Sequence, residues 1–366
     1  MVAALIAGLL LLTGPKLMAQ ASAIDGQELE EIVLSTEALD LELRHGKRKT
    51  SGKAVESRIS VPVRRALNEW ADVASALGLS VVVPKDADAL ILGTATTKEL
   101  GHLSEVVDET WEFVADLTPL DDAEPAPATI LFVFDEDGME GESWAGVIDE
   151  LVRRNELVAS AAEPLKRSPG PLMLRGLPGF LQPTFDMAGD ASAGDDEFRL
   201  DNEVAHKLAQ CILKSRFGEV PETIRWGIGF LVEQRQFQSI YQMNATGFVA
   251  AKDHFDWPAK TRDKIVEMSK KKDWSVSRHV GAKSAAGRAE TPQMITWAAL
   301  DYLYKNDADA LRGMLAELAS LHDEAAGWRT SQQHYLGDEE RTAKLLVDRM
   351  DGIDAKKLAK HLRRLK

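Results

Sequence analysis

The stretch RLDNEVAHKLAQ, residues 199–210, is the most informative part of the chain. Its central letters, Asn202-Glu203-Val204-Ala205-His206, differ at one position from His-Glu-x-x-His, a helical motif that binds zinc. In that motif two histidines one helical turn apart hold the ion, and the glutamate reaches the water that the ion acidifies. Here the first histidine position holds Asn202, so the motif is one ligand short.

Apolar residues around this stretch recur with a helical period. They predict a helix over residues 201–216, whose buried side is formed by Val204, Leu208, Cys211 and Ile212. Asn202 and His206 lie at one edge of that side, about 40° apart around the helix axis, and Glu203 projects just beyond them. The three polar residues therefore have the spacing that a zinc-binding helix requires.

A second helix is predicted soon after the first. Pro221 is followed by ETIRWGIGFLVEQ, residues 222–234, which is rich in aromatic and apolar residues and predicts a helix over 222–241. Upstream, short aliphatic or β-branched runs bounded by turn formers predict strands at 79–84, 87–94 and 129–135. Alternating apolar segments with Gly and Pro predict an edge strand or hairpin at 170–186. Other helices are predicted at 61–77, 97–117, 143–155, 292–305, 307–321, 339–350 and 354–364.

Residues 89–240 resemble the peptidase MA-like branch of the gluzincin metallopeptidases in the order and spacing of these elements. That branch has a strand, a helix, a strand, an edge hairpin and the His-Glu-x-x-His helix. A second helix with a Pro-x-x-Trp-x-x-Glu-Gly pattern follows. The resemblance implies an α+β fold with a gluzincin-like core, in which a small mixed sheet carries a pair of active-site helices.

The resemblance also implies roles for three residues of the first helix. Glu203 matches the general base, His206 matches the second zinc ligand, and Asn202 stands where the first ligand would be. Catalytic zinc needs three protein ligands and an open position for water, and a neutral amide is a weak donor to zinc. Of these positions only His206 carries an ordinary zinc ligand.

In the second helix, the match is incomplete at the third ligand. Trp226 matches the tryptophan of the family pattern, and the ligand would fall at Ile228 or Gly229, neither of which can bind a metal. These three residues line the implied cleft. Glu233, about one turn further along, is the next carboxylate and the remaining candidate for a third ligand.

The expected function follows from the incomplete ligand set. We expect a degenerate member of the family that binds no cofactor and acts as a binding or scaffold protein rather than as an enzyme. Its expected partner is an extended peptide, added to the edge strand of the cleft, or a component of the cell envelope. Two alternatives stay open. One is an active peptidase with a displaced ligand set that includes Glu233, and the other is a structural envelope protein in which Ile228 fills the metal position.

The first 23 residues, MVAALIAGLLLLTGPKLMAQASA, have the pattern of a secretory signal peptide. An apolar run is followed by a Gly-Pro break and two small-x-small cleavage sites, although no Lys or Arg precedes the run. The run is shorter than the about 20 residues that span a bilayer, so no integral membrane span is expected. The pattern favours a secreted, periplasmic or envelope location.

The remaining chain is expected to divide into three parts. Residues 24–86 form an N-terminal α/β segment with an irregular, polar stretch around RHGKRKTSGK, residues 44–53. Residues 87–245 form the peptidase MA-like core. Residues 246–366 form a helical C-terminal region that packs behind the core.

Composition excludes some classes of function. The net charge of −14 opposes binding to the phosphate backbone of nucleic acids. Cys211 is the single cysteine, so the chain forms no intrachain disulfide and its stability depends on its hydrophobic core. The seven other histidines are scattered along the sequence and are expected to lie mostly on the surface.

Overall fold

The described part of the chain in the computed structural model covers all three expected regions. It consists of residues 33–95, 97–118, 128–135, 142–167, 179–183, 200–217, 220–240, 243–244, 247–248, 257–271, 274–280, 290–323, 339–350 and 352–365. Leu34–Lys366 form one compact unit. The fold mixes a sheet of both parallel and antiparallel strands with a larger helical content, as the α+β expectation requires.

The six strands of the main sheet are arranged in the order β2-β1-β3-β4-β5-β6. Strands β1 and β2 are antiparallel, as are β3 and β4, whereas the β1–β3, β4–β5 and β5–β6 pairs are parallel. The strands are β1 Glu42–His45, β2 Arg48–Ser51, β3 Ser80–Val83, β4 Ala89–Gly93, β5 Thr129–Phe134 and β6 Gly179–Pro183. A separate two-stranded sheet pairs β7 Met243–Asn244 with β8 Gly247–Phe248.

The described helices account for most of the remaining residues. Those before the site are α1 Thr36–Asp40, α2 Gly52–Val55, α3 Val61–Ala76, α4 Thr97–Leu117, α5 Glu142–Arg153 and α6 Ala159–Arg167. The two helices of the site are α7 Leu200–Phe217 and α8 Glu222–Phe237. The C-terminal helices are α9 Trp257–Met268, α10 Val276–Val280, α11 Glu290–Asn306, α12 Ala308–Asp323, α13 Glu339–Met350 and α14 Ala355–Leu362.

Two hydrophobic cores lie on opposite faces of the main sheet. Along β5, Ile130, Phe132 and Phe134 belong to one core, and Leu131 and Val133 belong to the other. The first core includes buried residues of α3 and α5, and the second includes those of α4, α7, α8 and α11. Because helices cover both faces, the central strands are continuous apolar runs, and this is why their sequences predict them clearly.

The stretch around RHGKRKTSGK is not irregular, so that expectation is wrong. Residues 42–51 form the β1–β2 hairpin, and β1 also pairs with β3 in the main sheet. Gly46 has a φ of 58°, which allows the two-residue turn between the strands. Charged side chains dominate this edge hairpin, so its sequence lacks the apolar alternation by which a strand is recognised.

The predicted hairpin at 170–186 falls only partly within the described residues. Those that are described, Gly179–Pro183, form one strand that pairs parallel to β5 at the edge of the sheet. The expectation of an edge strand is therefore met. The pairing with β5 is not that of a hairpin, because the two strands of a hairpin run antiparallel. Residues 170–178 and 184–186 lie outside the described residues.

The main sheet crosses the boundary that the sequence places at residue 86. Strands β1 to β3 come from the expected N-terminal segment, and β4 to β6 come from the expected core. At the other boundary, α11 packs directly against α8, so described helices of residues 246–366 contribute to the same core as the site. Within the described residues, no helix is both long and apolar enough to cross a membrane.

Candidate functional site

The candidate site lies between α7 and α8, which pack side by side in the larger core. Asn202, Glu203 and His206 all lie in the first half of α7. The α8 residues that contact the His206 ring or lie close to it are spaced three and four positions apart, which places them on one side of that helix: Trp226, Gly229, Phe230 and Glu233. The packing thus brings together most of the residues that the sequence singles out.

The carboxylate of Glu233 joins Asn202 to His206. Its Oε1 lies 2.7 Å from Nδ1 of His206, and its Oε2 accepts a hydrogen bond of 3.1 Å from Nδ2 of Asn202. The same Nδ2 lies 3.3 Å from the carbonyl oxygen and 3.2 Å from Oγ of Ser239. All four residues are buried, and Glu233 is completely inaccessible to solvent. The result is a network of amide, carboxylate and imidazole in the protein interior.

Gly229 explains how the imidazole fits against α8. A Cβ atom at this position would lie 2.6 Å from both Cε1 and Nδ1 of His206, closer than non-bonded atoms approach. The ring is further enclosed by Trp226 and Phe230, whose ring centroids lie 5.1 and 4.7 Å from its own. Glycine at 229 is therefore a packing requirement of His206 in this arrangement.

The electrostatics of the site favour a neutral imidazole. Burial, together with the positive charges of Lys207 and Arg225, lowers the pKa of His206 to about 3. A neutral ring carries one hydrogen, and the position of Glu233 favours the tautomer in which Nδ1 donates to the carboxylate. The lone pair of Nε2 then faces away from Glu233.

Glu203 is buried, contrary to the surface or open-cleft position that a remnant general base would occupy. Burial raises the pKa of its carboxyl group, while the ammonium group of Lys207 lowers it. Nζ of Lys207 lies 3.6 Å from Oε2 of Glu203, one helical turn away on α7. The charge of Glu203 is thus compensated by Lys207 of the same helix. Within the described residues, no hydrogen bond joins Glu203 to the network of Glu233.

The described residues that meet at this site do not fit a catalytic zinc ion. Glu233 contacts Nδ1 of His206, and a carboxylate at that nitrogen orients a metal-binding histidine instead of sharing the ion bound at Nε2. Asn202 offers only an amide oxygen, and Gly229 leaves no room for a side chain. Among the described residues, no group of three or more His, Cys, Asp or Glu side chains is arranged to hold a metal.

Some participants were not predicted, and some predicted ones lie elsewhere. Ser239 and Phe230 are in the site without having been singled out, because neither belongs to a zinc-ligand pattern. Ile228 is fully buried in the larger core. Among the scattered histidines, which are expected to lie mostly on the surface, His361 is an exception: it is buried against Asp301, with Nε2 2.6 Å from Oδ2.

Comparisons with protein-family models, with curated proteins and with solved structures gave no match for this chain.

Proposed function

We propose that this chain is an exported protein with a degenerate gluzincin-like core, and that it binds a partner without catalysing a reaction. The contact between Glu233 and Nδ1 of His206 carries the proposal, because it uses the remaining carboxylate candidate to orient the imidazole. The leader-like residues 1–23 support export. The order of the elements and the paired helices α7 and α8 support the gluzincin-like core.

The alternative of an active peptidase with a displaced ligand set has less support. It requires Glu233 and His206 to bind one ion together. Nδ1 of His206 and Oε1 of Glu233 are 2.7 Å apart. Two ligand atoms of a tetrahedral zinc site are about 3.3 Å apart, so this contact is too short for a shared ion. A direct hydrogen bond occupies the space that the ion would need. Metal-dependent hydrolysis is therefore not part of the proposal.

The expected mode of binding is addition of an extended peptide to β6. Among the described strands, β6 is at the edge of the main sheet, where β5 pairs with its inner side and α7 packs beside it. A peptide that extends the sheet there would bind through backbone hydrogen bonds, with its side chains directed alternately to the two faces.

The proposal that the protein does not act as a zinc peptidase is tested by measuring the zinc content of the mature chain. After equilibration with micromolar zinc and dialysis, we expect far less than one zinc per chain by elemental analysis, and no cleavage of a peptide library. The matched control is His206→Ala, which should retain the same trace amount. Near-stoichiometric zinc that is lost in His206→Ala would contradict the proposal and favour the active peptidase.

A further inference from the structure

An open cavity lies beside α3 and α5, the helices that cover the other face of the main sheet from α7 and α8. Its volume is about 440 Å³, and the described residues that line it are all charged: Glu69, Arg153, Arg154 and Glu156. The cavity is accessible from solvent, since the side chains of Arg153 and Glu69 are 70% and 47% exposed. A space of this size is within the range of small-molecule sites, which is about 300–1,000 Å³.

The two guanidinium groups of the cavity are already engaged. Both donate to the carboxylate of Glu150, Arg153 through Nε and Nη2 and Arg154 through Nε. Arg154 also donates through Nη2 to the backbone carbonyl oxygen of Glu69, and its Cζ lies 4.3 Å from the ring centroid of Trp70. Arg154 is therefore held in place, and its guanidinium group cannot turn into the cavity without losing these contacts.

The two carboxyl groups that line the cavity are not engaged in this way. Oε2 of Glu69 lies 3.8 Å from Nη1 of Arg154, which is longer than a hydrogen bond. Burial and the charge of Glu69 raise the pKa of Glu156 to about 7, and among the described residues the opposing influence is the charge of Arg154, without a hydrogen bond. The cavity thus presents acceptors to solvent, while most of its donors are used.

The charges of this cluster identify the class of group that fits the cavity. Three carboxyl groups, those of Glu69, Glu150 and Glu156, accompany two guanidinium groups, so one negative charge is in excess when all three are ionised. An anion would add to that excess. A calcium ion takes six to eight oxygen ligands, more than the two unengaged carboxyl groups provide. A monovalent organic cation with N–H groups balances the charge and supplies donors for charge-assisted hydrogen bonds.

We propose that this cavity binds the ammonium group of an alkylamine, which donates hydrogen bonds to the carboxylates of Glu69 and Glu156. A free amine and a lysine side chain of a partner protein present the same alkylammonium chemistry, and the experiment below distinguishes these two sources. The inference goes beyond the proposed function, because it uses no residue of α7, α8 or β6 and does not depend on peptide binding there.

Binding of the cation is linked to the ionisation of Glu156. The cation favours the ionised carboxylate, so it lowers the pKa of Glu156 from about 7 toward the ordinary value of 4.5. Lys166 of the neighbouring helix α6 pairs with Asp149 and is not among the charges that act on Glu156. The alkylammonium group stays charged throughout, since its pKa is about 10.4. We therefore expect binding to be about tenfold tighter at pH 8 than at pH 5.5.

Isothermal titration calorimetry of the mature chain tests the site with two amines, n-pentylamine and N-acetyl-lysine amide. At pH 8 we expect binding of these amines, and no binding of their uncharged counterparts, 1-pentanol and N-acetyl-norleucine amide. Tighter binding of n-pentylamine would support a free amine as the source of the ammonium group. Tighter binding of N-acetyl-lysine amide would support a lysine side chain of a partner. A stronger response to calcium chloride than to either amine would overturn the inference.

Glu156→Gln removes the carboxylate while keeping the shape of the side chain. The variant should remain folded, because ionisation of Glu156 opposes folding, and it should bind both amines about tenfold more weakly at pH 8 and without dependence on pH. Glu163→Gln on α6 is the control, since Glu163 is exposed and pairs with Lys166 and Arg167, and it should bind like the wild type. Equal binding by Glu156→Gln and the wild type, equal wild-type binding at the two pH values, or no binding of either amine at millimolar concentration would each overturn the inference.

Discussion

At the scale of single residues, Asn202 has the most constrained position in the site. Its Nδ2 is surrounded by three oxygen atoms, one from Glu233 and two from Ser239, at 3.1–3.3 Å. An amide is the only common side chain of this size and shape that presents hydrogen atoms to those oxygens while remaining uncharged. Asn202, the residue at which this chain differs from the zinc motif, thus supplies the hydrogen-bond donor that the surrounding oxygen atoms require.

Replacing this donor by an acceptor of the same shape is the sharpest test of the network. Asn202→Asp would place a carboxylate against Glu233 and Ser239, and we expect it to lower the free energy of unfolding by about 3 kcal/mol at pH 8. The loss should be smaller at pH 5, where protonation relieves the repulsion. Asp201→Asn, at the adjacent, partly exposed position paired with His102, is the control and should have little effect. Urea unfolding of both variants at the two pH values provides the measurement, and equal stability of Asn202→Asp and the wild type would contradict the arrangement.

Gly229 supplies a second prediction at this scale. Alanine is the better helix former by about 1 kcal/mol, yet its Cβ would collide with the buried ring of His206. We expect Gly229→Ala to destabilise the protein by about 2 kcal/mol in spite of that propensity. The control is Gly313→Ala in α12, where a Cβ would meet nothing within 4 Å. Thermal melting should show a lower Tm for the first variant and a slightly higher one for the second.

At the scale of elements, α8 connects the site to the C-terminal helices. One side contacts His206 through Gly229 and Glu233, and another side packs against α11. Gly227 allows that second contact, since a Cβ there would lie 2.6 Å from Cδ1 of Leu300. Two glycines within three residues would weaken an isolated helix. In this helix they allow close packing against α7 and α11.

The end of α5 has a charge arrangement that predicts a pH dependence of stability. Burial, together with the charge of Glu69, raises the pKa of Glu156 from its ordinary value of 4.5 to about 7. Because the folded-state pKa is higher than the unfolded one, ionisation opposes folding. The associated stability is lost as the pH rises from about 4.5 to 7 and remains lost above that range.

Glu156→Gln should therefore raise the Tm at pH 8 and leave it nearly unchanged at pH 4. Glu150, which lies within α5 six residues before Glu156, is the opposite control, because its hydrogen bond from Arg153 lowers its pKa to about 2. Glu150→Gln should lower the Tm at pH 8, where the charged carboxylate stabilises the fold. Differential scanning fluorimetry at both pH values measures the two effects. A rise in Tm for both variants at pH 8 would contradict this assignment of charges.

At the scale of the whole molecule, one buried carboxylate holds three helices together. Asp301 of α11 is fully buried and accepts hydrogen bonds from Arg235 of α8 at 2.9 Å and His361 of α14 at 2.6 Å. The guanidinium group of Arg235 also lies 4.5 Å from the ring centroid of Tyr304. The last helix is thereby linked to α8, although more than a hundred residues separate them in the sequence.

Loss of this carboxylate should weaken the packing of the C-terminal helices on α8. We expect Asp301→Asn to reduce the free energy of unfolding by about 3 kcal/mol, because it leaves Arg235 without its charged partner in a largely buried position. Asp309→Asn removes an exposed carboxylate that pairs with Arg312 on the surface and should cause no measurable change. Chemical unfolding of the two variants under identical conditions measures both free energies of unfolding. An equal loss in the two variants would contradict a stabilising role for the buried network of Asp301.

The sequence by itself determined the central strands, most helices and the placement of Asn202, Glu203 and His206 on one side of α7. Those features depend on local periodicity, which neighbouring residues carry in their own order. The second helix and its carboxylate, Glu233, were also identifiable, the helix from its apolar pattern after Pro221 and its pairing with α7 from the family resemblance. The charged β1–β2 hairpin was not, because its strand structure comes from pairing with β3.

Only the tertiary structure decided which nitrogen of His206 meets Glu233, and that detail separates a ligand from an orienting carboxylate. It depends on the approach of α7 to α8 and on the space that Gly229 leaves for the ring. Neither quantity is encoded in the spacing of residues along one helix. The burial of Glu203, the donors around Glu233 and the contact of His361 with Asp301 were decided in the same way, because each joins residues that pack together from separate elements or from the surrounding core.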